Sequence, residues 1–456
     1  MQKENHITYD LINNLIKSKN YFKALEEIDK YLNKNSRDIR ILSQGAFVSM
    51  QISNYVSSIN YLNRILRFDS NNVDALVNLS TILYKLDKFE ESRDIILNLP
   101  DQNIKSPSTL SQCGINCQRL GMLTESKKYI EACIKLSGKK KELLYRLAFP
   151  YLALGIFPDA WILFENRIGQ IPLNSVRQIP SIIKNESVRW TGQNLNEKTL
   201  MIVFEQGFGD FIQFLPYVIE LKQIYKFSSL IIVCKQELIS LLESIPEINK
   251  IFSDNDDLKE ITFDYWVLVM SLPLVFSKLG HMFKGKIPYI KAINILLTRE
   301  TLRNGKKKAV GLVWKGNPNH SNDKFRSIKT LNDIKEIFEL KEFSFHSLQI
   351  QPDKAELKKF NINDLSHYIN DFRDTSDLIS QLDLIISVDT AIVHLAGAMN
   401  IDCWLMLSKV NTDWRWLSKN KTYCYESLTF FKQKKFNDWR HVSQNLKLNL
   451  LKFADL

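Results

Sequence analysis

The sequence predicts a helical solenoid followed by an α/β region with two parallel sheets. A 34-residue period runs through the first 170 residues, where large and small side chains recur at fixed offsets. From about residue 197, short β-rich runs alternate with helical segments. A chain of 456 residues is also too long for one compact core, so two or three domains are expected.

The 34-residue period is carried by three columns of residue types. Large side chains stand at Tyr21, Tyr55, Phe89, Leu123 and Phe157. Small ones follow three positions later, at Ala24, Ser58, Ser92, Ser126 and Ala160, and a second small column stands at Ala46, Ser80, Gly114 and Ala148. Small side chains let two helices approach closely while large ones fill the gap beside them, so about five helical hairpins are predicted over residues 1–170.

With Leu120-Gly121 and Leu154-Gly155 in the turns, residues 8–170 resemble the tetratricopeptide repeat. The resemblance implies a concave groove that holds a protein or peptide, because stacked hairpins give an extended curved surface. The alternative is a module for dimerisation or rigidity only. Cys113 and Cys117 lie one helical turn apart and could suggest zinc, but they fall in core columns of the repeat, so no metal site is predicted.

The α/β region is predicted from seven apolar runs with helical segments between them. The runs are 199–205, 229–234, 263–270, 309–314, 343–349, 383–388 and 402–407. Such runs predict parallel sheets, here two Rossmann-like halves over residues 171–302, including a linker, and 303–456, including a C-terminal helix. The basic stretch 303–308 is the predicted joint. Ligands of such sheets bind beyond the carboxyl ends of the strands, which singles out loops 206–210, 315–327 and 389–394.

The first of these loops joins a strand to a helix through Gln206, Gly207, Gly209 and Asp210. A dinucleotide fingerprint would need a third glycine where Ile212 stands, and a carboxylate would repel a pyrophosphate. The loop therefore argues against a dinucleotide-dependent oxidoreductase. Asp210 is either a plain helix cap or a general base at the mouth of the cleft, where the glycines let a substrate hydroxyl approach the backbone.

The loop at 389–394 has the character of an anion site. Asp389 or Thr390 can cap the next helix, whose free N–H groups and dipole attract negative charge. Thr390 and His394 are four residues apart and share one face, so hydroxyl, amides and imidazole could together hold a diphosphate. The alternative for His394 is simple packing.

The loop at 313–328 is expected to be long, polar and flexible. Its cations and hydroxyls could clamp phosphates or close over a bound donor; they are Lys315, Asn317, His320, Lys324, Arg326 and Ser327. The alternative is an ordinary charged surface loop.

Four segments give this region a specific resemblance: EQGFGDFIQFLPY, VGLVWKGNP, DTSDLISQLDLIISVDTAIVHLAGAM and DWRWL. With Gly209-Asp210 and Pro216 in the family's spacing, the region resembles the heptosyltransferases of glycosyltransferase family 9. The resemblance implies a GT-B fold and an inverting, metal-independent transfer from a nucleotide sugar, without a further cofactor. It places the catalytic base at Asp210 and the donor-binding segment at Asp389, Thr390 and His394.

The remaining site residues are assigned by their position in these loops. Lys315, Asn317, Arg326 and Ser327 are assigned to the donor, and Gln206, Gly207, Gly209 and Gln213 to the acceptor side. Lys315 stands where the family has a small residue, and the first α/β half is short for an acceptor domain. A protein acceptor held by the repeats, as in flagellin glycosyltransferases, would suit a short half. A lipopolysaccharide-type acceptor and a non-catalytic scaffold are the alternatives.

Composition limits the partners further. The net charge is +11, but its excess is spread along the chain and no nucleic-acid motif accompanies it, so no nucleic acid is expected. Weak contact with an anionic membrane face stays open. No signal peptide or membrane span is predicted, and six cysteines without a framework spacing favour a reducing cytoplasm.

Overall fold

The structure, a computed structural model, divides into two compact units, residues 1–150 and 151–456. It describes residues 2–99, 104, 106–169, 186–246, 248, 250–279, 287–417 and 424–455, with the backbone alone for residues 2–8 and 186. Residues 170–185, which include the start of the predicted first α/β half with its linker, lie outside the described residues.

The first unit consists of helices that repeat every 34 residues, so the predicted helical repeat of tetratricopeptide type is confirmed. They are Gln2–Lys17, Tyr21–Lys34, Ile39–Gln51, Tyr55–Phe68, Val73–Lys85, Phe89–Leu97, Pro107–Arg119, Leu123–Ser137 and Lys141–Ala153. Four of these helices begin after an Asn, Asp or Ser whose side chain accepts a hydrogen bond from the first turn, at Asp38, Asn54, Asn72 and Ser106.

The turns between paired helices repeat with the same period. Their left-handed residues, with φ between 59° and 74°, are Lys19, Ser53, Asp87, Gly121 and Gly155. Only two of the five are glycine, although a side chain makes this backbone conformation costly. The packing of the paired helices therefore determines the conformation of the turn. The positions of glycines alone would have revealed only two of the five turns.

The two predicted columns of small residues meet in the helix pairs at Ala46 and Ser58, Ser80 and Ser92, and Gly114 and Ser126. The Ser58 hydroxyl donates to the Ala46 carbonyl at 2.7 Å, and the Ser126 hydroxyl donates to the Gly114 carbonyl at 2.8 Å. A Cβ on Gly114 would lie 2.5 Å from the side chain of Ile130. The helices thus approach too closely for larger residues, as the sequence predicts.

Cys113 and Cys117, the pair that could have suggested zinc, are fully buried among apolar side chains of the first unit. Their predicted place in the core is confirmed. Each therefore contributes to helix packing as a small apolar side chain.

The second unit contains two sheets whose strands all pair in parallel, as predicted. The smaller sheet has the order β3-β2-β1-β4, with β1 Thr199–Val203, β2 Ser229–Cys234, β3 Lys250–Ser253 and β4 Tyr265–Leu268. The larger has the order β10-β9-β8-β5-β6-β7, with β5 Lys308–Val313, β6 Phe343–Ser347, β7 Asn363–Asp364, β8 Leu384–Val388, β9 Cys403–Leu407 and β10 Leu428–Lys432. The seven predicted strands are confirmed with ends that differ by at most two residues, and β3, β7 and β10 were missed.

Numbered within each sheet, the smaller has strand order 3-2-1-4 and the larger 3-2-1-4-5-6. The larger sheet thus has the full doubly wound order, and the smaller has its first four strands. In both, the chain reverses direction across the sheet between the first and fourth strands. These switch points lie between β1 and β4 and between β5 and β8, and ligands of such sheets bind at the carboxyl edge there.

Helices connect the strands of the second unit. They are Asp159–Phe164, Phe208–Ile224, Gln236–Glu243, Leu272–Lys278, Arg299–Arg303, Asp323–Arg326, Lys354–Lys359, Phe372–Ile379, Ala391–Ala398 and Arg440–Ala454. Shorter 3₁₀ segments include Glu165–Arg167, Val269–Ser271, Leu331–Glu339 and Trp414–Trp416.

The joint between the two sheets lies earlier than the predicted stretch 303–308. The Tyr289 amide donates to the Ala398 carbonyl at 3.0 Å, and the Ile293 amide donates to the Asp377 carboxylate at 2.8 Å. Arg303 forms an ion pair of 2.6 Å with Asp383, which directly precedes β8. Residues 287–303 therefore already pack on the larger sheet, and the basic stretch is only the turn into β5.

The division between the two units also falls before the predicted boundary at residue 170. Arg167 donates two hydrogen bonds to the Glu205 carboxylate, at 2.9 and 2.6 Å, and both side chains are almost fully buried. Trp161 packs edge-on against Phe214 and Trp414. These contacts attach residues 151–169 to the α/β unit, although the sequence assigns them to the last repeat.

Candidate functional site

The loops at the two switch points come together in the second unit. Helix Phe208–Ile224 follows β1, helix Ala391–Ala398 follows β8, and the two helices pack against each other. A Cβ added to Gly209 would lie 2.5 Å from Cδ2 of His394 and 3.3 Å from Cα of Ala391. The two helices therefore meet near their N-termini, and only a glycine fits at this contact.

Asp210 lies at this meeting point and has two partners. Its Oδ2 accepts a hydrogen bond of 2.9 Å from the Gly207 amide, which caps the helix. Its Oδ1 accepts a charge-assisted hydrogen bond of 2.6 Å from Nη2 of Arg415. The side chain keeps 19% of its exposure. Asp210 therefore does cap the helix, and its partly exposed side chain is still accessible to a ligand.

Arg415 comes from the 3₁₀ turn Trp414–Trp416, which follows β9. Its guanidinium donates to Asp413 through Nη1 at 3.0 Å, to Gln213 through Nε and to Asp210 through Nη2. Burial disfavours its charge, but the carboxylates of Asp413 and Asp210 hold the pKa of Arg415 above its ordinary value. Arg415 therefore carries a permanent positive charge in the centre of the site.

Asp389 and Thr390 precede helix Ala391–Ala398. Thr390 is the N-cap residue, but its hydroxyl pairs with Ser387 at 3.2 Å and no side chain caps the helix. Burial, and after it the Asp413 carboxylate, raises the pKa of Asp389 to about 6, against the opposing influence of Trp416, Arg326 and Arg415. The uncapped amides suit an anion, whereas an ionised Asp389 beside them would oppose one.

Because the pKa of Asp389 is raised, Asp389→Asn is expected to stabilise the protein at neutral pH. Between the unfolded value of about 3.9 and the folded value of about 6, the native state binds more protons, so its stability falls as pH rises through this range. The variant lacks this loss. We expect the free energy of unfolding to rise by about 1–2 kcal/mol at pH 7.5. This is less than the full difference in pKa would give, because the side chain is partly exposed.

Urea unfolding of both proteins at pH 7.5 and pH 5.0 measures this effect, and the gain should shrink at the lower pH. Asp402→Asn, at an exposed position on the same sheet, is the matched control and should show no such dependence. An equal gain in unfolding free energy at both pH values would contradict a raised pKa of Asp389.

His394 is buried at the contact between the two helices. Its Nδ1 lies 3.2 Å from the Tyr425 hydroxyl, and its ring packs against Trp416 with centroids 5.4 Å apart. Burial, together with nearby Arg415, lowers the pKa of His394 well below its ordinary value, so the imidazole is neutral. These contacts favour the packing alternative over a cationic diphosphate ligand.

Gly209→Ala is expected to cost about 1–3 kcal/mol of unfolding free energy, because its Cβ would overlap His394. Replacing His394 by Ala removes the ring, so the same change in an His394→Ala background should cost clearly less. A double-mutant cycle in urea measures this coupling. Gly207→Ala is the control, since its Cβ would meet only the Asp210 carboxylate, at 3.0 Å. Equal costs in both backgrounds would mean that the two helices are not in this contact.

The loop at 313–328 is folded, which corrects the expectation of a flexible loop. The Ser327 hydroxyl accepts from the Gly316 amide at 2.8 Å and donates to Asp323 at 2.7 Å. A Cβ on Gly316 would lie 2.7 Å from both Asp323 and Arg326. Ser327 therefore closes the loop on itself, and its hydroxyl is not directed at a ligand.

The cations of this loop differ in their relation to the site. Arg326 lies close enough to Asp389 to lower its pKa, and it also pairs with Asp323 at 3.4 Å. The Lys315 backbone amide donates to Gln349, and Asn317 is exposed. Arg326 is thus a cation of this loop whose charge acts on Asp389, the residue two positions before helix Ala391–Ala398.

The two glutamines of the acceptor-side loop face different surroundings. Gln206 has a left-handed backbone with φ of 62°, and its buried amide nitrogen has no hydrogen-bond partner among the described residues. Gln213 accepts from Arg415 and donates to the Cys424 sulfur at 3.0 Å. Gln213 therefore positions Arg415, and Gln206 has an unused donor beside Asp210.

Sequence reasoning missed Arg415 and Asp413 as site residues. The DWRWL segment was noticed only as part of a family resemblance, although β9 was predicted and its carboxyl end lies beside that of β8. Applying the strand-end rule to β9 would have included this loop.

Among the described residues, no group of three or more His, Cys, Asp or Glu side chains is arranged to hold a metal ion. No helix in the described ranges combines the length and apolar character that a membrane span requires.

Comparison with known proteins found one relative among curated sequences at useful similarity. Protein FlbA of Caulobacter vibrioides is 24% identical over 369 residues, which covers 74% of this chain and 60% of that protein. No protein-family model matches the chain. The chain thus spans about three-fifths of the length of this relative.

Solved structures of helical-repeat proteins match about a third of the chain. The crystal structure of MamA is 15% identical and covers 36% of this chain and 91% of its own, with a TM-score of 0.30. YrrB, described as a TPR protein with an unusual peptide-binding site, is 19% identical and covers 35% of this chain and 83% of its own, with a TM-score of 0.29.

Proposed function

We propose that the second unit is a GT-B glycosyltransferase that moves a sugar from a nucleotide donor to an acceptor hydroxyl by inversion, without a metal ion. The observation that carries the proposal is the meeting of two strand ends. Asp210, at the switch point of the smaller sheet, lies against the uncapped helix at the switch point of the larger one. A carboxylate close to uncapped helix amides supports a proton acceptor beside an anion site.

The roles follow from the chemistry of the residues. The amides at the start of helix Ala391–Ala398, with Arg326 nearby, would receive the donor diphosphate. Asp210 would take the proton of the acceptor hydroxyl, whose oxygen then bonds to the anomeric carbon. The bond from that carbon to the diphosphate breaks, and its electron pair leaves with the nucleotide. Negative charge therefore grows where the amides lie.

The helical repeat of the first unit is proposed to hold the acceptor as a protein or peptide, of flagellin type. Stacked helix pairs offer an extended surface for such a partner. The alternatives are a lipopolysaccharide-type glycan acceptor and a non-catalytic scaffold. The engagement of both Asp210 oxygens by Gly207 and Arg415 is the observation that favours a scaffold.

Binding of nucleotide sugars tests the proposal. We expect one class among UDP, ADP, GDP and CMP sugars to raise the melting temperature, because a ligand that binds only the native state stabilises it by about 2.7 kcal/mol at 100 times its Kd. Ile392→Glu places a carboxylate in the first turn of helix Ala391–Ala398 and should abolish the shift, whereas Ile392→Gln should keep it. No shift with any donor would favour the scaffold.

A further inference from the structure

Asp210, the proposed base, meets the acceptor with both of its oxygens already engaged. The Gly207 amide holds Oδ2 at 2.9 Å, and the Arg415 guanidinium holds Oδ1 at 2.6 Å. To accept a proton from an incoming hydroxyl, Oδ1 has to exchange this charge-assisted hydrogen bond for the hydroxyl's. The Gly207 bond belongs to the helix cap and persists in the folded chain. The exchangeable partner is therefore Arg415.

The backbone of Arg415 is fixed, so any exchange involves the guanidinium alone. Asp413 caps the 3₁₀ turn by accepting from the Arg415 amide at 3.0 Å. Trp414 and Trp416 on either side are buried, and the guanidinium lies 4.6 Å from the centre of the Trp414 ring. A flexible side chain thus extends from a rigid turn into the site.

The guanidinium is held by Asp210, whose neighbour Gly209 contacts the start of helix Ala391–Ala398. Its charge acts on Asp389, which precedes that helix, and on His394, in its second turn. The guanidinium binds phosphate with the same planar fork as carboxylate. A diphosphate at the helix start would therefore compete with Asp210 for Arg415.

The charges around Arg415 make such competition necessary for anion binding. The carboxylates of Asp210 and Asp413 pair with one buried guanidinium, and the charge of Asp389 also interacts with it. A diphosphate that entered without gaining a cation would meet uncompensated negative charge in a partly dry site. Transfer of Arg415 from Asp210 to the diphosphate would relieve the repulsion at the point where the leaving group develops charge.

Building on the proposed function, we propose that Arg415 pairs with Asp210 while the donor site is empty and turns to the diphosphate of the bound donor. Donor binding then releases Oδ1 of Asp210 to accept the acceptor's proton, so the donor binds first. During transfer the proton moves to Asp210, the acceptor oxygen bonds to the anomeric carbon, and the electron pair of the broken bond remains on the diphosphate beside Arg415.

The exchange of Arg415 and a fixed structural ion pair predict different affinities of the Asp210→Asn variant for nucleotide. If Arg415 is shared, removal of the carboxylate frees it, and the full-length protein should bind nucleoside diphosphate about five- to tenfold more tightly even though transfer is lost. Arg415→Gln should weaken binding at least tenfold. If Arg415 is only a structural tie, Asp210→Asn should leave the affinity unchanged or weaker.

The experiment is titration calorimetry with UDP, ADP, GDP and CMP on wild type, Asp210→Asn, Arg415→Gln and the double variant. Exchange predicts that the gain from Asp210→Asn disappears in the Arg415→Gln background, whereas simple loss of repulsion predicts that it persists. Asp210→Ser, which keeps an acceptor for the Gly207 amide, replaces Asp210→Asn if that variant is unfolded.

The outcomes separate this inference from the proposed function. Nucleotide binding by wild type without a gain in either Asp210 variant, or with a gain that persists without Arg415, overturns exchange and leaves the glycosyltransferase proposal standing. Absence of binding by folded wild type overturns both.

Discussion

Replacing Asp210 by Asn should lower the rate of sugar transfer at least about 100-fold, because a general base typically contributes that much. The amide keeps an oxygen for the Gly207 cap but cannot accept a proton at neutral pH. The fold should persist, since one capping bond is retained and Arg415 keeps Asp413 and Gln213 as partners. The measurement is transfer, or slow hydrolysis of the donor in the absence of acceptor, with a thermal melt of each protein.

Asp254→Asn is the matched control for this prediction. Asp254 is a buried carboxylate that pairs with Lys235 at the carboxyl edge of the same sheet, away from the larger one. Its replacement should lower stability without a comparable loss of transfer. If Asp210→Asn retained transfer to within about tenfold of wild type, Asp210 could not be the base.

Glu205→Gln should lower the free energy of unfolding of the second unit by about 3–5 kcal/mol, because it removes the bidentate carboxylate that compensates the buried charge of Arg167. Arg167 and Glu205 form a bidentate pair with side chains only 2% and 4% exposed. The remaining Arg167 partners are the Ser271 hydroxyl at 2.9 Å and the Glu165 carboxylate at 3.5 Å. Urea unfolding followed separately for the two units measures the loss, and the transition of the first unit should not move.

Two comparisons make this prediction specific. Arg167→Met combined with Glu205→Leu removes both charges and should be markedly less destabilising than Glu205→Gln alone. Lys198→Gln removes an exposed ion pair of 3.3 Å from the same sheet and should have almost no effect. A loss below about 1 kcal/mol for Glu205→Gln would mean that the pair is solvated or absent in solution.

Much of the fold follows from the sequence because its signals are local. The columns of small residues give the phase of the helical repeat, and apolar β-branched runs give the buried strands. The missed strand β7 has only two residues, both polar, and β10 lies at the sheet edge with side chains that are mostly not buried. Neither strand therefore shows the continuous buried apolar run that predicts a central strand.

The sequence predicts which loops form the candidate site, but it does not predict which side chains pair there. Strand ends indicated Asp210 and Asp389, since the rule needs only the position of each strand. Arg415 lies 205 residues from Asp210 in the chain, and their ion pair depends on how the two sheets pack. His394 shows the reverse case, because its helical spacing suggested a ligand while its surroundings make it a neutral packing residue.

The attachment of Arg167 to Glu205 also determines how the protein can be dissected. A fragment ending at residue 170 would carry Arg167 and Trp161 without Glu205 and Phe214, so the cation would lose its bidentate partner and an aromatic surface would be exposed. The complementary fragment would retain the buried carboxylate without its cation. Division in the turn before helix Lys141–Ala153 keeps each pair intact, so this is where we would cut to express the α/β unit alone.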